Sequence, residues 1–180
     1  MFLTLAQKRR SIRKFLKKPV EDVKVSQVID AALMAPSSGG HMPWEFVVVK
    51  DQALLEKLSE VKSFGSVFLK DAPLAVVLCA DPEKSDVWVE DASVASAFIL
   101  LAAESLGLGG CWIQIRKRMN KEGTPSEEVV ARLLNIPENL RVLSMIALGY
   151  TAEKKPPHER AALKHDRVYL DLYGVPFSMS

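Results

Sequence analysis

The stretch that most constrains this chain runs over residues 86–106. It reads as a long helix, apolar nearly all round and rich in Ala and Ser. Such a helix has no face to give to water, and its small residues let other helices come close. It therefore belongs at the centre of a domain or between two copies of one. It does not cross a membrane: Ser93 and Ser96 interrupt its apolar part, residues 92–103, which is too short to span a bilayer. With 180 residues and 48% hydrophobic, the chain suffices for one domain with a sizeable core around this helix.

Around it the pattern mixes helices and strands. Residues 2–8 look like a short helix, and a second opens near Glu21 and Asp22, acids suited to a helix N-terminus. Val25, Val28, Ile29, Ala32 and Leu33 give it one buried stripe, and Pro36 stops it at Ala35. A loop follows over residues 36–43. Strands are expected at residues 44–49, 73–80, 111–115 and 141–150, with helices at 52–61 and 126–135. Residues 73–80 are continuously apolar, as in a central strand buried on both faces. Residues 107–110 read as a turn. Without a regular βαβ rhythm, the order favours an α+β three-layer α/β/α sandwich with a mixed, mainly antiparallel sheet. From Thr151 the chain becomes a polar tail with Pro156 and Pro157 that still carries Val168, Tyr169, Leu170, Leu172, Tyr173, Val175 and Phe177. A partner subunit is a natural cover for so many apolar groups.

Several chemistries drop out. Net charge is +2, too little for a general nucleic-acid surface. Cys79 and Cys111 lie in apolar runs and read as small buried hydrophobes in a reducing compartment. At the N-terminus apolar residues precede charges, the reverse of an export signal, so the cytoplasm is the expected location. His158 and His165 make no metal pattern with either cysteine, so no metal site is expected. His41 has no carboxylate near it in sequence and reads as a loop histidine. There is no G-x-S-x-G, no G-x-G-x-x-G after the first strand and no G-x-x-x-x-G-K-[ST]. Trp44 and Trp112 read most simply as core.

What remains is basic. Residues 8–18 hold seven cations and no acid, densest at Arg9-Arg10-Ser11-Ile12-Arg13. Guanidinium forks and a hydroxyl match phosphate oxygens. In an extended segment Arg9, Ser11 and Arg13 point the same way, so one anion meets all three. A solvated basic stretch without a ligand is the alternative, and RNA binding a weaker one. Pro36-Ser37-Ser38-Gly39-Gly40 is a plain connection by composition, although its glycines let backbone approach a flat ligand.

Together these pieces resemble the nitroreductase family of FMN-dependent oxidoreductases. The likeness rests on Arg9-Arg10-Ser11-Ile12-Arg13-Lys14-Phe15, on Ala31-Ala32-Leu33-Met34-Ala35-Pro36-Ser37-Ser38 and on Pro43-Trp44-Glu45-Phe46. It continues through Leu106-Gly107-Leu108-Gly109-Gly110-Cys111-Trp112-Ile113 and Ala147-Leu148-Gly149-Tyr150. The resemblance implies a single FMN-binding domain over residues 1–180, forming a homodimer whose 151–180 extension packs on the partner subunit. It implies two-electron transfer from NADH or NADPH to a small acceptor such as a nitroaromatic, quinone or flavin. In its terms Arg9, Arg10, Ser11 and Arg13 hold the FMN phosphate, ribityl chain and pyrimidine edge. Pro36, Ser37, Ser38 and Gly40 of the other subunit line the same flavin. The backbone around Ile113, Gln114 and Ile115 faces N5, and Arg160 returns to the phosphate. No catalytic acid or nucleophile is implied. Gly40, Met42, Gln114, Ile115 and His158 depart from the residues that many relatives carry. Other roles open to the same fold are a reductive dehalogenase, a flavin-cleaving enzyme, or an FMN-binding sensor with little turnover.

Overall fold

The computed structural model describes residues 2–177. Four strands form one sheet in the order β1-β2-β4-β3: β1 (Trp44–Val49), β2 (Leu74–Ala80), β3 (Gly109–Gln114) and β4 (Arg141–Gly149). Every pairing between them is antiparallel. The parallel component expected of a mixed sheet is reduced to an isolated bridge, Ser11 to Gly110. β2 and β4 are central and almost wholly buried, which is why both read as unbroken apolar runs.

The helices α1 (Phe2–Lys8), α2 (Asp22–Leu33), α3 (Gln52–Ser59), α4 (Trp88–Ser105) and α5 (Ser126–Leu134) complete the layers. On one face Ala75, Val77 and Cys79 of β2 pack with Leu55 and Leu58 of α3 and Val130 of α5. On the other, Leu74, Val76 and Leu78 pack with Val28 and Ala32 of α2 and with Ala95, Ile99 and Ala103 of α4. Strand alternation sorts the two sets. α4 lies against α2 and the sheet at once, while Val94 and Ala97 on its outer side stay exposed, so one chain does not cover all of its apolar surface. None of the helices among the described residues is long and apolar enough to cross a membrane.

Local signals set the ends. Asp51 caps α3, its side chain accepting from the Leu54 N–H at 2.8 Å. α5 ends at Asn135 in the left-handed conformation, φ 52°. The expected turn at residues 107–110 is shorter than composition suggested, because Gly109 and Gly110 belong to β3. A Cβ on Gly109 would come within 2.8 Å of Ile12, so glycine is what lets residues 9–13 lie against the strand.

Candidate active site

β3 is an edge strand, and its register fixes which way its backbone points. The Ile115 N–H donates to Leu143 O, so the alternate residues Ile113 and Cys111 also bond to β4. Gly110, Trp112 and Gln114 therefore turn their N–H and C=O groups to the open side. Two contacts agree: the Ile12 N–H donates to Gly110 O at 3.0 Å, and Lys62 Nζ donates to Gln114 O at 3.1 Å. Of the three positions expected to face the flavin ring, Gln114 alone presents its N–H outward. Ile113 and Ile115 place their side chains in the core. The Gln114 side chain is occupied locally, accepting from Trp112 Nε1 and donating to Arg116 O. β4 is irregular here, its register with β2 shifting between Leu78 and Cys79. Leu143 O accepts from Arg116 as well as Ile115, and the chain leaves the sheet.

Residues 9–15 begin to pair with this edge and then abandon it. After Ser11 and Ile12 the Arg13 N–H donates not to β3 but to Glu153 Oε1, at 2.6 Å, and the Lys14 N–H joins it at 3.2 Å. The Arg13 N–H bond is the largest of the effects that hold the Glu153 carboxyl below its usual range. The outcome is a gap beside Trp112 and Gln114, bordered by Arg13, whose guanidinium lies over the Phe68 ring at 5.8 Å.

The positive groups converge beside the Cys111 thiol. Burial pushes that thiol upward, while Arg13, Lys155, the Ser11 hydroxyl and Arg9 each pull it down. Arg9, Ser11 and Arg13 thus all act on one thiol of β3. Neither the Arg9 nor the Arg13 guanidinium lies within ion-pair distance of a carboxylate among the described residues. Arg10 points elsewhere: its Nη1 donates to Pro156 O and ties the tail to the body. The tail also brings a cation that sequence reading missed. Lys155 Nζ donates to Ser11 O and lies 3.5 Å from Glu153. Arg160 stands exposed in a short 3-10 turn, just beyond the point where the His158 N–H donates to Gln7 O. Glu153 and Lys155 sit among ordinary-looking charges of a polar tail, and no spacing in the sequence distinguishes them.

Pro36, Ser37, Ser38 and Gly40 lie on the far side of the molecule. Their loop enters β1, the opposite edge from β3, about 14 Å away at roughly 4.8 Å for each of three strand spacings. Asp91 holds this loop: its Oδ1 accepts from the Ser38 N–H at 2.8 Å and its Oδ2 from the Ser85 hydroxyl at 2.7 Å. Gly39 and Gly40 have φ of 55° and 73°, which lets the loop close tightly. The exposed His41 packs its ring against Gly39, as a loop histidine should.

A hollow of about 750 Å³ lies elsewhere, lined by Leu16, Pro19, Val20 and Pro73 among others. Two lysines on its rim are already paired, Lys18 with Glu21 and Lys50 with Asp22, and none of the convergent groups opens into it. The β3 edge is the better candidate. At one end it offers the Arg9 and Arg13 guanidiniums, without carboxylate partners among the described residues, and farther along an outward backbone donor in a gap. That donor set fits a flat, phosphate-bearing molecule such as FMN.

Comparison with known proteins agrees. The family model described as the nitroreductase family matches residues 6–63 and 62–150. A protein of Archaeoglobus fulgidus assigned as an NADH dehydrogenase/NAD(P)H nitroreductase is 39% identical over 161 residues, 87% of this chain and 89% of that one. An FMN-dependent nitroreductase structure from Clostridium difficile R20291 superposes with a TM-score of 0.93 at 42% identity, covering 95% of this chain and 99% of that one. The NADPH:FMN oxidoreductase of Vibrio harveyi, solved with NAD+, matches with a TM-score of 0.79 at 27% identity, covering 96% and 77%.

Proposed function

Because the chain belongs to the nitroreductase family, we propose that it is an FMN-dependent oxidoreductase working as a homodimer. It takes two electrons from NADH or NADPH and passes them to a small acceptor such as a nitroaromatic, a quinone or a flavin. Relatives supporting this include an FMN reductase [NAD(P)H] and an oxygen-insensitive NADPH nitroreductase. The observation that carries the reading is the open edge of β3. There the outward Gln114 N–H lies in line with the anion-matching cluster of Arg9, Ser11, Arg13 and Lys155.

FMN, when bound, would supply the two-electron redox chemistry. The chain's own groups would bind and orient it. Arg9, the Ser11 hydroxyl and Lys155 would hold the phosphate, with Arg160 of the tail joining them. Arg13, held in place by its N–H bond to Glu153 and its contact with Phe68, would serve the pyrimidine edge. Its fixed charge would there favour the reduced form. The Gln114 N–H, whose direction β4 fixes, would donate toward the ring. No side-chain acid or nucleophile is needed.

Distance supports the dimer. Pro36, Ser37, Ser38 and Gly40 cannot reach the β3 edge of their own chain across the sheet, so a second copy brings them to it. The β1 edge is open as well: the Asp81 N–H donates to Pro43 O, which sets the backbone N–H and C=O groups of Trp44, Phe46 and Val48 to turn outward. The exposed Leu170, Leu172, Tyr173, Val175 and Phe177 of the tail give the partner an apolar surface to cover. Residues 152–158 bind their own chain, so the tail beyond them is the part that packs on that partner, and the enzyme acts in the cytoplasm, where Cys79 and Cys111 stay reduced.

Titrating the protein with FMN while following its sedimentation tests this. One FMN per chain on a two-chain particle is the expected result. Arg13→Ala weakens binding by about 1–3 kcal/mol, the loss of a charged hydrogen bond. A monomer that takes up no FMN contradicts the reading.

A further inference from the structure

The open edge of β3 carries cations at both ends. The end near Gly110 faces Ser11, Arg9 and Lys155. The other lies about 13 Å farther on, at roughly 3.3 Å per residue for four residues, where Lys62 Nζ sits on Gln114 O. Arg118 is its neighbour. Burial and the Arg118 charge together pull the Lys62 ammonium below its usual range.

This second pair is held rather than loosely placed. Ser63 donates to Met119 O twice, through its N–H at 3.1 Å and its hydroxyl at 3.2 Å, so the loop bearing Lys62 is fastened to the turn bearing Arg118. That turn is tight: the Arg118 N–H donates to Ile115 O at 3.0 Å, and Lys117 has a φ of 58°. Neither Lys62 nor Arg118 lies within ion-pair distance of a carboxylate among the described residues. The half-buried Lys62 and the exposed Arg118 thus carry like charges on one fastened unit, and an anion between them would relieve their repulsion. Phe64, 84% exposed, stands beside them as an apolar plate in reach of a planar group.

We propose that Lys62 and Arg118 form an anion subsite that receives a phosphate of the nicotinamide dinucleotide, with Phe64 at its rim. This rests on the FMN oxidoreductase reading above, since it assumes that the first cation cluster is taken by the cofactor. The phosphate is either the bridging pyrophosphate, present in both donors, or the ribose phosphate that distinguishes NADP(H) from NAD(H). The fastening of loop 62–64 to turn 115–119 is what brings the two cations together.

The test uses the FMN-loaded protein and the oxidised dinucleotides, so that no turnover is involved. Dissociation constants for NADP+ and NAD+ are measured by calorimetry for the parent, Arg118→Ala, Lys62→Ala and Lys62→Arg, with FMN content recorded for each. Arg118 is exposed, so its variant remains informative if Lys62→Ala fails to fold. The expected result is roughly tenfold weaker dinucleotide binding in Arg118→Ala and Lys62→Ala, the loss of one charge-assisted bond, with FMN content unchanged and Lys62→Arg near the parent. Equal losses for both dinucleotides assign the pyrophosphate, and a loss confined to NADP+ assigns the ribose phosphate. Affinities within twofold of the parent at full FMN content overturn the subsite alone. A parent chain that takes up no FMN overturns the reading beneath it.

Discussion

Gly109→Ala is the smallest change that should disturb the cofactor site without touching a binding group. The new Cβ would meet Ile12 Cγ1 at 2.8 Å and Ile12 Cβ and Cγ2 at 2.9 Å, closer than real Cβ atoms come. Ile12 is buried and β-branched, so it cannot rotate away freely. Its N–H bond to Gly110 O is what attaches residues 9–13 to β3. The strain therefore falls on that attachment and moves Arg9, Ser11 and Arg13 relative to the Gln114 N–H. Overpacking of this kind costs about 1–3 kcal/mol, which corresponds to roughly 5- to 160-fold in an equilibrium constant. Flavin fluorescence titration of the purified variant, beside a circular-dichroism melt, reads both consequences. FMN binding should weaken within that range while the far-ultraviolet spectrum stays that of the parent. Parental FMN affinity in a folded Gly109→Ala protein would refute the claim that this contact positions the cation cluster.

Other perturbations bear on separate parts of the account. Asp91→Ala strips the Ser38 N–H and the buried Ser85 hydroxyl of their acceptor, at about 1–3 kcal/mol for each buried donor left unpaired. At about 2–4 °C per kcal/mol the melting temperature should fall by several degrees, and an unchanged melt would show that the clamp is dispensable. The Tyr150 hydroxyl, above all, lowers the Glu21 pKa from its usual 4.5, so this bond adds stability above that value that is lost as the solution is acidified through the folded-state value. Tyr150→Phe should flatten that acid limb of a melting-temperature profile, and an unaltered limb would contradict the assignment. The same hydroxyl raises Lys24, whose contribution is complete below its usual 10.5 and disappears only in stronger alkali. Burial pushes the Cys79 thiol up to about 12, so a disulfide reagent at neutral pH should leave it unmodified until the protein unfolds. Rapid modification in the native state would show that β2 opens.

Sequence alone was informative where burial or backbone chemistry left a one-dimensional trace. β1 and β4 were expected within a residue of where they lie, because apolar runs between turn residues are hard to mistake. The basic segment of residues 9–13 was legible from its density of cations. Contacts made by the tail were not. Glu153 and Lys155 lie some 140 residues from the segment they anchor, and a glutamate before two lysines resembles any solvated tail. Asp91 and Lys62 were hidden for the same reason, each defined by one partner brought near by folding. Gly109 and Gly110 were taken for a turn because glycine signals both turns and close approach, and only the position of Ile12 decides between them. The positions expected to face the ring, Ile113, Gln114 and Ile115, narrowed to Gln114 once the ladder parity with β4 was known.

The central claim meets its most direct test in an anaerobic cuvette. The purified protein, supplied with FMN, is recorded across the visible range before and after NADH and NADPH are added separately. The account predicts a yellow protein that bleaches with at least one donor and regains its colour when a quinone or nitroaromatic is added. A protein that stays colourless after exposure to FMN, or a yellow one that neither donor bleaches, would contradict it.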